Sequence, residues 1–96
     1  MEKFDFENYR GFEWVMHCAT AQEAQEFCKA MTAVGRTWLD GESYENNTLW
    51  HIYKEDTCYQ FNKGMYSDIH YFLEEEDPKY QVLQWKNFDG WIGKKE

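Results

Sequence analysis

Three cysteines (Cys18, Cys28, Cys58) and three histidines (His17, His51, His70) are the residues from which a thiolate nucleophile and its base would have to be drawn. His17 and Cys18 are neighbours in a run that reads as a strand, so their side chains point to opposite faces and do not pair with each other. Cys28 falls on the apolar stripe of a helix and is expected in the core. His51 and Cys58 can face one another across a meander, but such a juxtaposition arises by chance far more often than as a catalytic dyad. Metal ligation needs spacing as well as ligands, and the 18 carboxylates lack it. The chain contains no HExxH, no CxxC and no Asp-rich calcium loop with a central glycine. Its six glycines are isolated, so none opens a phosphate-cradling loop. An odd number of cysteines at these spacings reads as reduced, partly buried thiols. The expectation is a protein that is not an enzyme and has no metal or cofactor.

Charge is the remaining chemistry. The net charge is -8, and residues 40 to 77 carry all of it, with ten acids against two bases. The flanking segments nearly cancel. Nucleic-acid binding draws most of its affinity from Lys and Arg that neutralise phosphates, so direct binding to DNA or RNA is disfavoured. The acidic segment interleaves its carboxylates with Tyr44, Trp50, Tyr53, Tyr59, Tyr66, Tyr71 and Phe72. At least half of these rings are expected to face inward as alternating strand residues, and those left outside would anchor an interface. The expected partner face comprises Asp40, Glu42, Glu45, Glu55, Asp56, Asp68, Glu74, Glu75, Glu76 and Asp77, with Tyr44 and Tyr66 as aromatic anchors. Within it, Glu74 to Asp77 are four adjacent carboxylates that fan outward and repel; they do not converge on an ion. Carboxylates spaced on a rigid sheet imitate a phosphate pattern and steer binding to a basic groove.

The elements that must position this face follow from the hydrophobic pattern. Phe12 to Cys18 alternates as a strand, with Phe12, Trp14, Met16 and Cys18 on one side. Thr20 with Glu23 three residues later is a capping-box start. Ala24, Phe27, Cys28, Met31 and Val34 then form one helical stripe, and Gly35 is placed to end the helix, giving an amphipathic helix over about 20–34. Asp40-Gly41 is a turn that closes a hairpin or opens a loop. Thr48 to Tyr53 and Thr57 to Phe61 read as strands of an antiparallel meander, followed by a turn at Asn62-Lys63-Gly64. Ile69, Phe72 and Leu73 share a helical face, so a short second helix is expected over about 67–77, capped by Ser67 or Asp68 and ended by Pro78. Tyr80 to Trp85 is the last strand. Residues 1–11 read as an arm or edge strand and 89–96 as a tail whose Trp91 and Ile92 pack back.

The predicted fold class is therefore α+β, with a small antiparallel sheet of four to five strands and the amphipathic helix on one face. Ninety-six residues suit a single domain, 1–96, with one core. The mean hydropathy of -0.89 resembles that of a disordered chain. It is offset by the 20% of aromatic residues, which bury large apolar bodies. No apolar run approaches the length of a membrane span, and the acidic, aromatic N-terminus is unlike a signal peptide, so a cytoplasmic location is expected.

The order of segments also resembles a known group. The helix AQEAQEFCKAM followed by Gly35 and Trp38, then GES (Gly41 to Ser43), TCYQF (Thr57 to Phe61) and VLQWKNF (Val82 to Phe88), is similar to small hypothetical proteins of phages and prophages of Gram-positive bacteria. That resemblance runs over most of residues 12 to 88, and its motifs are structural. It implies a mobile-element accessory protein in a bacterial host, a setting that includes anti-CRISPR and anti-restriction inhibitors. The leading expectation is an inhibitor that binds the basic groove of a host defence nuclease or another nucleic-acid-binding protein. Two other expectations are an oligomeric module, such as a homodimer, sequestering a signalling nucleotide with Arg10, Arg36, Lys79 and Lys86, and a structural phage protein.

Overall fold

The computed structural model describes residues 3–9, 13–38, 40–61, 64–76 and 79–92. Its centre is a four-stranded sheet built from β2 (Trp14–His17), β3 (Thr57–Gln60), β4 (Tyr66–Asp68) and β5 (Gln81–Gln84), in the order β4-β3-β2-β5. A second, two-stranded sheet pairs β1 (Phe4–Asp5) with β6 (Trp91–Ile92) in parallel. Among the described residues there are three α-helices, α1 (Ala21–Ala33), α2 (Trp50–Tyr53) and α3 (Ile69–Glu74), with short 3-10 turns between elements. The class is α+β, as the sequence pattern predicts. Among the described residues no helix is long and apolar enough to cross a membrane.

α1 begins and ends where its sequence directs. Thr20 is the N-cap, its hydroxyl accepting from Glu23 N–H at 3.1 Å, and the Glu23 carboxylate accepts from Ala19 N–H at 3.1 Å. At the other end Gly35 sits at φ +86°, the left-handed region that a residue with a Cβ enters only at a cost. Arg36 N–H then reaches Met31 O and Gly35 N–H reaches Thr32 O, the paired bonds of a Schellman motif. The buried stripe Ala24, Phe27, Cys28, Ala30 and Met31 packs on the sheet face made by Trp14, Met16, Cys18, Tyr59, Leu83 and Trp85. Phe4 and Phe6 join the same cluster, so the N-terminal segment supplies core side chains as well as an edge strand. Phe12 lies outside the described residues.

The opposite face carries Val15 and Cys58, covered by Phe72 of α3 with Ile69, Tyr80 and Val82 around them. Asp68 caps α3, its Oδ1 accepting from Tyr71 N–H at 2.9 Å. The helix stops at Glu74, ahead of Pro78, which is outside the described residues.

Two expectations need correction. The sheet is mixed and not wholly antiparallel: β2 pairs antiparallel with β3, and β3 with β4, but β5 runs parallel to β2. The connection from β4 to β5 is the cause. It carries α3, whose Phe72 packs against Val15 of β2 and Cys58 of β3, and the chain re-enters the sheet in the direction in which β4 left. The second correction concerns Thr48 to Tyr53, where a strand is expected and a single helical turn, α2, is found. The strand ladder is replaced there by side-chain bonds. Tyr59 Oη donates to Thr48 O at 2.6 Å, and Trp50 Nε1 donates to Cys18 O at 3.0 Å.

Candidate functional site

The arrangement of the thiols works against nucleophilic chemistry. Cys18, Cys28 and Cys58 are all buried with no disulfide between them. Burial pushes the Cys28 and Cys58 thiols up to about 12, and raises Cys18 well above its ordinary value. At Cys58 the carboxylates of Asp68 and Asp56 add to the effect. The strand neighbour opposite Cys58 is His17, not His51. His17 is itself held, with Nδ1 2.6 Å from Gln84 Oε1 and Nε2 2.6 Å from the Glu55 carbonyl. A carbonyl only accepts, so Nε2 carries a proton. The histidine thus ties β5 to the turn that follows α2. Among the described residues no three His, Cys, Asp or Glu side chains gather in a group able to hold a metal ion.

The acidic candidates divide into two groups. One borders β4, an outer strand of the sheet. The turn at Asp40 closes a hairpin in which Thr37 bridges Ser43 and Trp38 N–H reaches Glu42 O at 2.9 Å. Asp40 Oδ1 accepts from Glu42 N–H at 2.9 Å, which fixes that carboxylate at the turn. Asp40 and Glu42 are exposed and line a pocket of about 310 Å³ whose wall includes Tyr66 of β4. From Tyr66 the border continues to Tyr53 of α2, whose ring lies 5.7 Å away, and Asp56 acts with Asp68 on Cys58, whereas Glu55 sits where its carbonyl meets His17 of β2. Asp68 stands two residues from Tyr66, roughly 7 Å along the strand. The other group, Glu74, Glu75 and Glu76, lies at the C-terminal end of α3 on the far side of the sheet. Asp77 is outside the described residues.

Tyr44 is not an exposed anchor. It is wholly buried, stacks on Trp38 with centroids 4.0 Å apart and 14° between planes, and donates its hydroxyl to Gln60 O at 3.2 Å. Burial raises its phenol, with Cys28 adding to the shift and Arg36 opposing it. An aromatic in a turn-rich acidic segment looks exposed by composition, but here the hairpin lays it on the core. Glu45, its neighbour, is half-buried, with its N–H bonded to Thr32 Oγ1 at 3.1 Å. Tyr66 is half-buried at the pocket wall; burial there raises its phenol, with Tyr53 next in effect.

Trp38, Asn47, Leu49, Gly64 and Met65 also line the pocket and were not among the expected site residues. Leu49 adopts φ +59°, which nothing in its residue type announces. Among the described residues that line the pocket there is no Lys, Arg or His. Arg36, one of the bases a nucleotide site would need, instead places its guanidinium 4.2 Å over the Phe61 ring.

The fold and site together define a small α+β protein that, among the described residues, carries acidic side chains and an aromatic-walled pocket beside an outer strand of its sheet. No protein-family model matches the chain, and no curated protein or solved structure is significantly similar to it.

Proposed function

We propose that this protein is a non-catalytic inhibitor of the phage accessory type, acting in the bacterial cytoplasm on the basic groove of a host defence nuclease or similar nucleic-acid-binding protein. The observation that carries the reading is the acidic border of β4. The Asp40 and Asp68 carboxylates are held by the backbone N–H groups of Glu42 and Tyr71, and Glu42 and Asp56 stand in the turns beside them. Fixed carboxylates lose little side-chain entropy on binding and present a patterned negative field, the property a groove built for phosphates recognises. The resemblance of the segment order to small phage proteins supports the same setting, that of anti-CRISPR and anti-restriction inhibitors.

The test is recovery of the tagged protein from its bacterial host at low and high salt, followed by kinetics with the recovered nuclease. Binding is expected to weaken steeply as salt rises, and reversal of Asp40 and Glu42 to Lys is expected to slow association by about tenfold or more. Reversal of Glu74 to Glu76, on the other side of the sheet, is expected to slow it less. Binding that ignores salt would exclude the acidic edge as the interface.

A further inference from the structure

The pocket beside β4 combines features that select one kind of ligand. Its volume, about 310 Å³, sits at the small end of the range for ligand sites, roughly 300–1,000 Å³, and suits a single side chain better than a nucleotide. Two rings form one corner: Trp38 and Tyr66 lie 5.4 Å apart with their planes at 68°. Leu49 and Met65 supply aliphatic wall, and Met65 is 44% exposed. Asp40 and Glu42 bring two carboxylates to the same cavity. The single N–H bond that Asp40 accepts from Glu42 uses one of about four acceptor positions on its carboxylate, leaving capacity for a ligand.

Each simple ligand class can be weighed against this lining. An anion meets two carboxylates and no base among the described lining residues. A wholly apolar group would strip water from those carboxylates without replacing it. A cation on an aliphatic stem suits both the apolar and the acidic walls, with its methylenes against Leu49 and Met65 and its charged head between the carboxylates and the aromatic corner.

We infer that this pocket is a receptor for one lysine or arginine side chain projecting from the partner's basic groove. The inference deepens the functional reading above and rests on it for the source of the cation. The pocket makes the acidic edge more than a diffuse field: it gives the interface a fixed point at which one basic residue is seated.

The experiment does not need the partner. The full chain is titrated with Nα-acetyl-lysine methylamide and Nα-acetyl-arginine methylamide, following the Trp38 indole N–H by NMR. Their neutral counterparts, the Nε-acetylated lysine and citrulline derivatives, serve as controls. Saturable shifts at Trp38 in about the millimolar range are expected for the cations alone. The D40N/E42Q variant, which keeps the size of both side chains and the acceptor of the turn, is expected to bind about five- to tenfold more weakly with an unchanged melting temperature. Tyr66→Leu is expected to weaken binding with the carboxylates intact. Equal binding of the neutral probes, unaltered binding by D40N/E42Q, or no saturable shift would overturn the assignment. So would tetramethylammonium binding more tightly than either amino-acid probe, which would give the pocket to a small quaternary ammonium. Failure here with salt-sensitive nuclease binding intact removes the pocket and leaves the acidic edge; success here with salt-insensitive nuclease binding does the reverse.

Discussion

The two faces of the sheet are covered in opposite ways. On one, a 13-residue helix capped at both ends lays Phe27 against Trp14, Tyr59 and Trp85, with ring centroids 5.3 to 6.4 Å away. On the other, the six residues of α3 bury only Phe72 and leave Tyr71 49% and Leu73 60% exposed. α2, at the β4 border, buries no residue at all. Stability is therefore expected to be held by the α1 face, while the α3 face and the β4 border open at lower free energy. Binding surfaces are drawn from such regions because their side chains are not committed to the core.

The largest effect that would test this contrast is Phe27→Ala, which removes a fully buried ring and is expected to cost about 3–5 kcal/mol in denaturant unfolding. Leu73→Ser, in the thin layer, is expected to stay within about 0.5 kcal/mol. A comparable loss at both positions would mean that the faces contribute equally.

Alkaline titration compares the layers through their thiols, since Cys28 is on the buried face of α1 and Cys58 lies under α3. Both have folded-state values near 12, above the 9.0 of an unburied thiol. The folded protein thus holds protons that the unfolded chain releases. Stability is fully present below about pH 9 and falls as pH rises towards 12. Urea midpoints measured across that window are expected to decline, with a shallower slope in Cys28→Ala and in Cys58→Ala than in the parent. Reactivity towards a thiol reagent below pH 9 is expected to appear first at Cys58 if the α3 layer opens locally.

A smaller effect separates the two helix caps. Thr20→Ala is expected to lower global stability by about 1 kcal/mol. Asp68→Ala, by contrast, is expected to appear mainly as faster amide exchange within 69–74. The smallest change runs the other way. Lys54 holds φ +52° at the end of α2, a strained setting for a residue with a Cβ, so Lys54→Gly is expected to stabilise by about 1 kcal/mol in the same denaturation assay.

α1 was legible in the sequence down to its caps, because Thr20, Glu23 and Gly35 act on backbone groups within a few residues of themselves. The alternation of β2 and β5 was equally plain: Leu83 and Trp85 turn to the α1 side, as Trp14 and Met16 do. α2 was not legible, since Leu-Trp-His-Ile-Tyr has strand propensity and only bonds from Trp50 to Cys18 and from Tyr59 to Thr48, 32 and 11 residues apart, turn it into a helical segment. The parallel direction of β5 was hidden for a similar reason, because strand direction depends on where a connection crosses and not on the residues of the strand.

The candidate site divides along the same line. Composition and order alone determined that residues 40 to 77 carry the protein's net negative charge and that the chain holds no HExxH or CxxC motif. Which acids share a surface was decided only in three dimensions. The hairpin at Asp40 brings Asp40 and Glu42 to Tyr66, some 25 residues later, while α3 carries Glu74 to Glu76 to the other face. Tyr44 went from expected anchor to buried core by the same hairpin. Local signals fix local geometry, but a binding surface is made of residues distant in sequence, and only long-range packing selects them.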